Sequence, residues 1–84
     1  MTQCEVILKA MLENRSKEIW TASDFQYGKY FVGYEASARM SDLIRLHPKV
    51  FEVGKVRRFR TLKINWEAEE TQMLLKKYKE VIDG

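Results

Sequence analysis

The sequence predicts a small α+β domain, mainly helical, with one β-hairpin. Three observations predict it. Eighty-four residues hold one domain and no more. Apolar residues recur at spacings of three and four in several stretches before Pro48 and again after Asn65. Between those two points the spacing changes to two, the period of a half-covered strand. Hydrophobic residues make up 45% of the chain and aromatics 12%, with one proline and no low-complexity run, which predicts an ordered core. A chain of this size buries only about 60–65% of its unfolded surface, so that core has to be economical.

The first helix is predicted from Thr2 to about Asn14. Thr2 and Glu5 have the T-x-x-E spacing of a capping box, and Cys4, Ile7, Leu8, Met11 and Leu12 share one face. Arg15-Ser16-Lys17 is a polar connector, and Glu18-Ile19-Trp20 a short extended piece that adds apolar surface. Thr21 with Asp24 starts a short second helix to about Tyr27, which Gly28 ends. Gly28 to Gly33 reads as a connector whose aromatics, Tyr30 and Phe31, belong to the core. A third helix follows from about Tyr34 to His47, where Pro48 stops it. Ala36, Met40, Leu43, Ile44 and His47 form its inner face. Tyr34, Glu35, Ala38, Ser41, Asp42 and Arg45 form the outer one, with Arg39 at the margin. Val50–Val53 and Thr61–Asn65 are the strands of a hairpin whose tip, residues 54–60, holds the arginines; no Asn-Gly or Asp-Gly pair places its turn. Asn65 then caps a last helix from Trp66 to about Ile82. Residues 1–65 are thus core and hairpin, and 66–84 a C-terminal helix.

Charge is concentrated. The net charge is only +3, yet residues 49–65 hold six basic side chains against Glu52 alone, a local +5, while residues 66–84 carry −2. A short cationic segment of this kind suits a polyanion.

Helix, short strand, short helix, amphipathic helix, basic hairpin and final helix is an order similar to that of the winged helix-turn-helix family, over most of the chain. Ala36-Ser37-Ala38-Arg39-Met40-Ser41-Asp42-Leu43 resembles the A-x-x-R-[IM]-S-[DE]-L recognition-helix pattern of bacterial and phage members. Phe51-Glu52-Val53 and Arg60-Thr61-Leu62-Lys63-Ile64 resemble the two wing strands. The aromatic segment Tyr27 to Tyr34 departs from the family, being longer than a tight turn between the second and third helices. The resemblance implies double-stranded DNA as partner and a small transcriptional regulator as role. Helix 34–47 then enters the major groove and the wing 54–60 meets phosphates or the minor groove. The implied contacts are Tyr34, Ser37, Ala38, Arg39, Ser41 and Arg45 from the helix and Lys55, Arg57, Arg58 and Arg60 from the wing. Arg39 has intramolecular competitors in Asp42 and Glu35, and Glu35 and Asp42 themselves suit capping or orienting arginines better than facing phosphates.

Enzymatic chemistry finds little support. His47 is the sole histidine and sits on the inner side of its helix, and Cys4 is a core thiol that excludes an intrachain disulfide. No zinc-ligand spacing and no phosphate-cradling glycine loop is present, so neither a metal, a cofactor nor a small-molecule substrate is expected. The start Met-Thr-Gln-Cys-Glu has no secretory pattern and no apolar run approaches membrane-spanning length, which predicts a cytoplasmic, reduced setting. Asn14-Arg15-Ser16 is then a chance glycosylation pattern.

Two other readings stand beside DNA binding. A winged helix also serves as a protein-docking module without DNA contact, and the balanced charge of helix 34–47 suits that role. A single-strand binder needs exposed aromatics, for which Phe59 is the one candidate at the hairpin tip. The last helix presents Leu75, Tyr78 and Ile82 as a surface for homodimerisation, its alternative being packing onto the first helix.

Overall fold

The computed structural model describes the backbone of residues 2–83 and the side chains of residues 2–78. Four helices and one two-stranded antiparallel hairpin follow each other as α1 (Gln3–Glu13), α2 (Ala22–Gln26), α3 (Ala36–Leu46), β1 (Phe51–Val56), β2 (Phe59–Ile64) and α4 (Glu69–Asp83), with a single 3-10 turn at Gly28–Tyr30.

Local chemistry starts the first two helices. Thr2 Oγ1 accepts from Glu5 N at 3.2 Å, and Asp24 Oδ2 accepts from Thr21 N at 2.8 Å. Each side chain satisfies a donor that the first helical turn leaves open. Gly28 adopts φ +79, a conformation cheap only without a Cβ, and so turns the chain out of α2.

The core forms where α1, α2, α3 and the hairpin base meet. Ile7, Leu8, Met11 and Leu12 of α1 face Ala36, Met40 and Leu43 of α3, with Phe25, Val50, Phe51, Leu62, Ile64 and Leu74 completing the cluster. Trp20 is its hub. Its ring stacks on Phe25 at 5.2 Å between centroids and meets the Tyr30 ring edge-on at 5.1 Å. Its backbone exchanges hydrogen bonds with Leu62 at 2.9 and 2.8 Å, so the expected short extended piece lies as a third rung beside β2.

Several expectations need correction. The third helix starts at Ala36, not Tyr34, because Glu35 is the capping residue with ψ 17 and Gln26 Nε2 holds the Tyr34 carbonyl in the preceding turn at 3.0 Å. The last helix starts at Glu69, not Trp66. Asn65 Oδ1 accepts from Glu67 N at 3.2 Å, and its carbonyl accepts from Ala68 N and from Thr71 Oγ1, closing a turn before the helix begins. Phe31 is not core: it is 53% exposed, because the 3-10 turn directs it outward against Tyr34. The strands are also longer than the alternation alone marks. They pair from Phe51↔Ile64 out to Val56↔Phe59, leaving a turn of only Arg57 and Arg58. Past Phe51 the first strand leaves the core, so Val53 is exposed despite its in-register apolar position.

Candidate nucleic-acid interface

α3 separates its faces as its spacing requires. Ala36, Met40 and Leu43 are buried against α1, while Ser37, Ala38 and Arg45 are exposed along the other side. Ala38 has a methyl only, so its own side chain offers little obstruction to a ligand on this face. Tyr34, at the start of the helix, is 75% exposed.

The hairpin departs from the common turn chemistry. A two-residue connection between antiparallel strands requires a left-handed residue, usually glycine, asparagine or aspartate. Here Arg57 takes that place at φ 57. The strained residue is therefore itself a cation held at the end of the hairpin. Arg58 beside it and Lys55 in the strand are exposed, and none of the three has an acidic partner among the described residues.

Arg60 joins the two elements. Its Nη1 donates to Ser41 Oγ and its Nη2 to the Ser37 carbonyl, each at 2.9 Å, and Ser41 Oγ donates in turn to that carbonyl at 3.2 Å. The planar fork of one guanidinium thus spans a full turn of α3 from β2. Arg60 and, at the hairpin tip, Arg58 therefore lie beside the outward side of α3. Between hairpin and helix, where α2 begins, is a groove of about 280 Å3 whose polar lining is Thr21, Ser23, Ser37, Arg58 and Arg60.

Not every expected contact residue is equally free. Arg60 and Ser41 use their hydrogen-bonding groups on each other. Arg39 is half-buried, with Nε 3.1 Å from Asp42 Oδ2. Arg45 is exposed but bonded to the other oxygen of the same carboxylate. Tyr30 also points inward, its hydroxyl donating to Asn14 Oδ1 at 3.2 Å.

His47 and Cys4 each make a contact between elements. His47 ends α3 and its Nδ1 lies 2.9 Å from Glu70 Oε1, which ties that end to α4. Cys4 packs against α3 with Sγ 3.8 Å from the Arg39 carbonyl. No group of three potential metal ligands occurs among the described residues, and no helix among them is long and apolar enough to cross a membrane. Leu75 and Tyr78, expected on a dimer surface, are half-buried against this chain's own core, and the Ile82 side chain lies outside the described residues.

Sequence reasoning missed the Arg60 clamp and the exposure of Tyr27 and Phe31. Tyr27 is 67% exposed, and Phe31 and Tyr34, also exposed, meet edge-on at 5.7 Å just before α3. The one signal available was the unusual length of that aromatic connector. No family model, no curated protein and no solved structure matches this chain.

Proposed function

We propose that this chain is a winged-helix domain that binds double-stranded DNA, with α3 in the major groove and the hairpin as its wing on adjoining phosphates or in the minor groove. The observation that carries this reading is the Arg60 fork, which holds the hairpin against the exposed face of α3, with Arg58 lining the groove that reaches Ser37. A duplex is the ligand that such a pairing suits. Its major groove, about 12 Å wide, admits one helix, and phosphates line both margins. Ser37, Ala38 and Arg45 then face base edges or phosphates, Tyr34 meets the backbone at the helix start, and Arg57 and Arg58 supply affinity more than specificity. Arg60 and Ser41 fix the relative position of the two elements. A role as a small transcriptional regulator is what the family resemblance adds.

The test is an anisotropy titration of the whole chain with a random duplex pool and with duplexes selected from it, at two salt concentrations. Binding should weaken steeply with salt. Arg57→Ala with Arg58→Ala should lower affinity for every sequence and flatten the log–log salt slope by about 1.8, roughly 0.9 per lost phosphate contact. Arg45→Ala should change sequence preference more than bulk affinity. No binding at low salt by a folded chain would refute the proposal.

A protein-docking role is the second reading, and the exposure of Tyr27, Phe31 and Tyr34 favours it. Under that reading Tyr27→Ala with Phe31→Ala abolishes partner binding, while under the first it leaves duplex affinity within about twofold.

A further inference from the structure

The two arginines of α3 share one carboxylate, unequally. Arg45 Nη2 donates to Asp42 Oδ1. Arg39 Nε lies 3.1 Å from Asp42 Oδ2, but it is misaligned for a hydrogen bond, and this buried donor has no hydrogen-bond partner among the described residues. The environments run opposite to the bonding. The Arg45 side chain is 77% exposed and that of Arg39 only 35%. Asp42 therefore hydrogen-bonds the arginine that water can solvate and gives the donor that water cannot reach an ion pair without an aligned hydrogen bond.

Such an arrangement is easily reversed. An exposed ion pair adds little to stability, because water and salt replace it, whereas a buried donor without a partner is costly. A rotation of the carboxylate exchanges one for the other without moving the helix. We propose that Asp42 is a handover residue. In the free chain it holds Arg45 along the helix. When a phosphate or a guanine edge takes Arg45, Asp42 turns to Arg39 Nε and completes the bond now missing. Arg39 is then a positioning residue that never touches the duplex, and the face of α3 stays neutral until a ligand strong enough to displace a carboxylate arrives. This inference rests on duplex binding by α3.

The test is a double-mutant cycle of Asp42→Asn and Arg39→Gln, titrated with a labelled random-sequence duplex at several salt concentrations. Glu18→Gln is the charge-matched control, an exposed residue outside the site. Asp42→Asn should bind roughly threefold to tenfold tighter with a salt slope steeper by about one, and Glu18→Gln should change affinity less than about twofold. Arg39→Gln should bind roughly threefold to tenfold weaker alone, yet change affinity less than about twofold in the Asp42→Asn background, where no carboxylate needs a second partner. Thermal melting checks each fold, and Arg39→Met, which keeps the packing stem, replaces the glutamine variant if that one melts early.

Two results overturn the handover while leaving duplex binding intact. One is an Arg39 loss as large in the Asp42→Asn background as alone, which means that Arg39 itself touches the duplex. The other is an Asp42→Asn affinity no better than that of Glu18→Gln. Failure of the unmodified chain to bind any duplex overturns the parent reading and this inference with it.

Discussion

Arg57 holds a backbone conformation that favours glycine, and Tyr78 holds a phenol that prefers to stay neutral; each turns a local cost into a measurable property. At Arg57 the left-handed φ of 57 is strained for any residue with a Cβ. Arg57→Gly should therefore stabilise the fold by about 1 kcal/mol, while Arg57→Ala should not, and both should weaken duplex binding alike. Chemical denaturation and anisotropy titrations of the pair check this. Equal stabilities would mean that the turn is relaxed. At Tyr78, partial burial and then the negative charge of Glu5 push the pKa above its ordinary 10.0. The folded state thus favours the neutral phenol. Its contribution is fully present below pH 10 and is lost as pH rises through the elevated value. Melting temperatures between pH 8 and 11 should fall less steeply in Tyr78→Phe than in the unmodified chain.

Among the elements, Trp20 and Arg60 each join parts distant in sequence. Trp20 fastens the connector after α1 to β2 through its backbone and to α2 through its stacked ring. Its removal leaves a cavity at the hub, and Trp20→Ala should cost about 3–5 kcal/mol. That approaches the whole stability of a small domain, about 5 kcal/mol or slightly more, so the variant should show a large loss of ordered structure by circular dichroism at 37 °C. Arg60 performs the equivalent task on the other side, holding the hairpin to α3 by two hydrogen bonds. Arg60→Ala should lower stability by about 1 kcal/mol, because half-exposed bonds compete with water. Its effect on duplex affinity should exceed that of Lys55→Ala, which removes the same charge without freeing the hairpin. Equal losses from the two variants would show that Arg60 acts as charge alone. Arg60→Lys should not rescue, since an ammonium cannot span Ser37 and Ser41 with a fixed fork.

For the whole molecule, charge placement and surface apolarity decide association. Arg58 and Arg60 lie on the side that α3 opens to solvent, whereas Lys49 lies by the acidic start of α4 with Asn65 and Met73, and Lys63 lies by Arg15, Glu18 and Trp66. Raising salt should thus weaken duplex binding without much effect on folding, which depends on the apolar cluster. Because Leu75 and Tyr78 are engaged in their own core, sedimentation at micromolar concentration should give the monomer mass of 10.0 kDa. Twice that mass would restore the pairing of α4 helices that its apolar stripe suggested.

Much of the architecture is legible without coordinates, for a local reason. Helix starts at Thr2 and Thr21 depend on side chains three positions away, and the helical or strand period of the apolar residues records which face each segment must bury. The α+β class, the four helices, the hairpin and its cationic tip follow from such short-range relations. Where the local signals compete, the boundaries move: Asn65 closes a turn before α4 because its own oxygens find partners first, and Arg57 forms a turn without glycine because strand pairing beyond it imposes the geometry. The partnerships that shape the candidate interface are of another kind. Arg60 reaches Ser37 across 23 positions, and Phe31 turns outward. Nothing in the spacing of residues specifies these choices. They arise from how the elements dock, which sets the reach of each side chain and the water left around it, and so the tertiary structure alone decides which cations remain free.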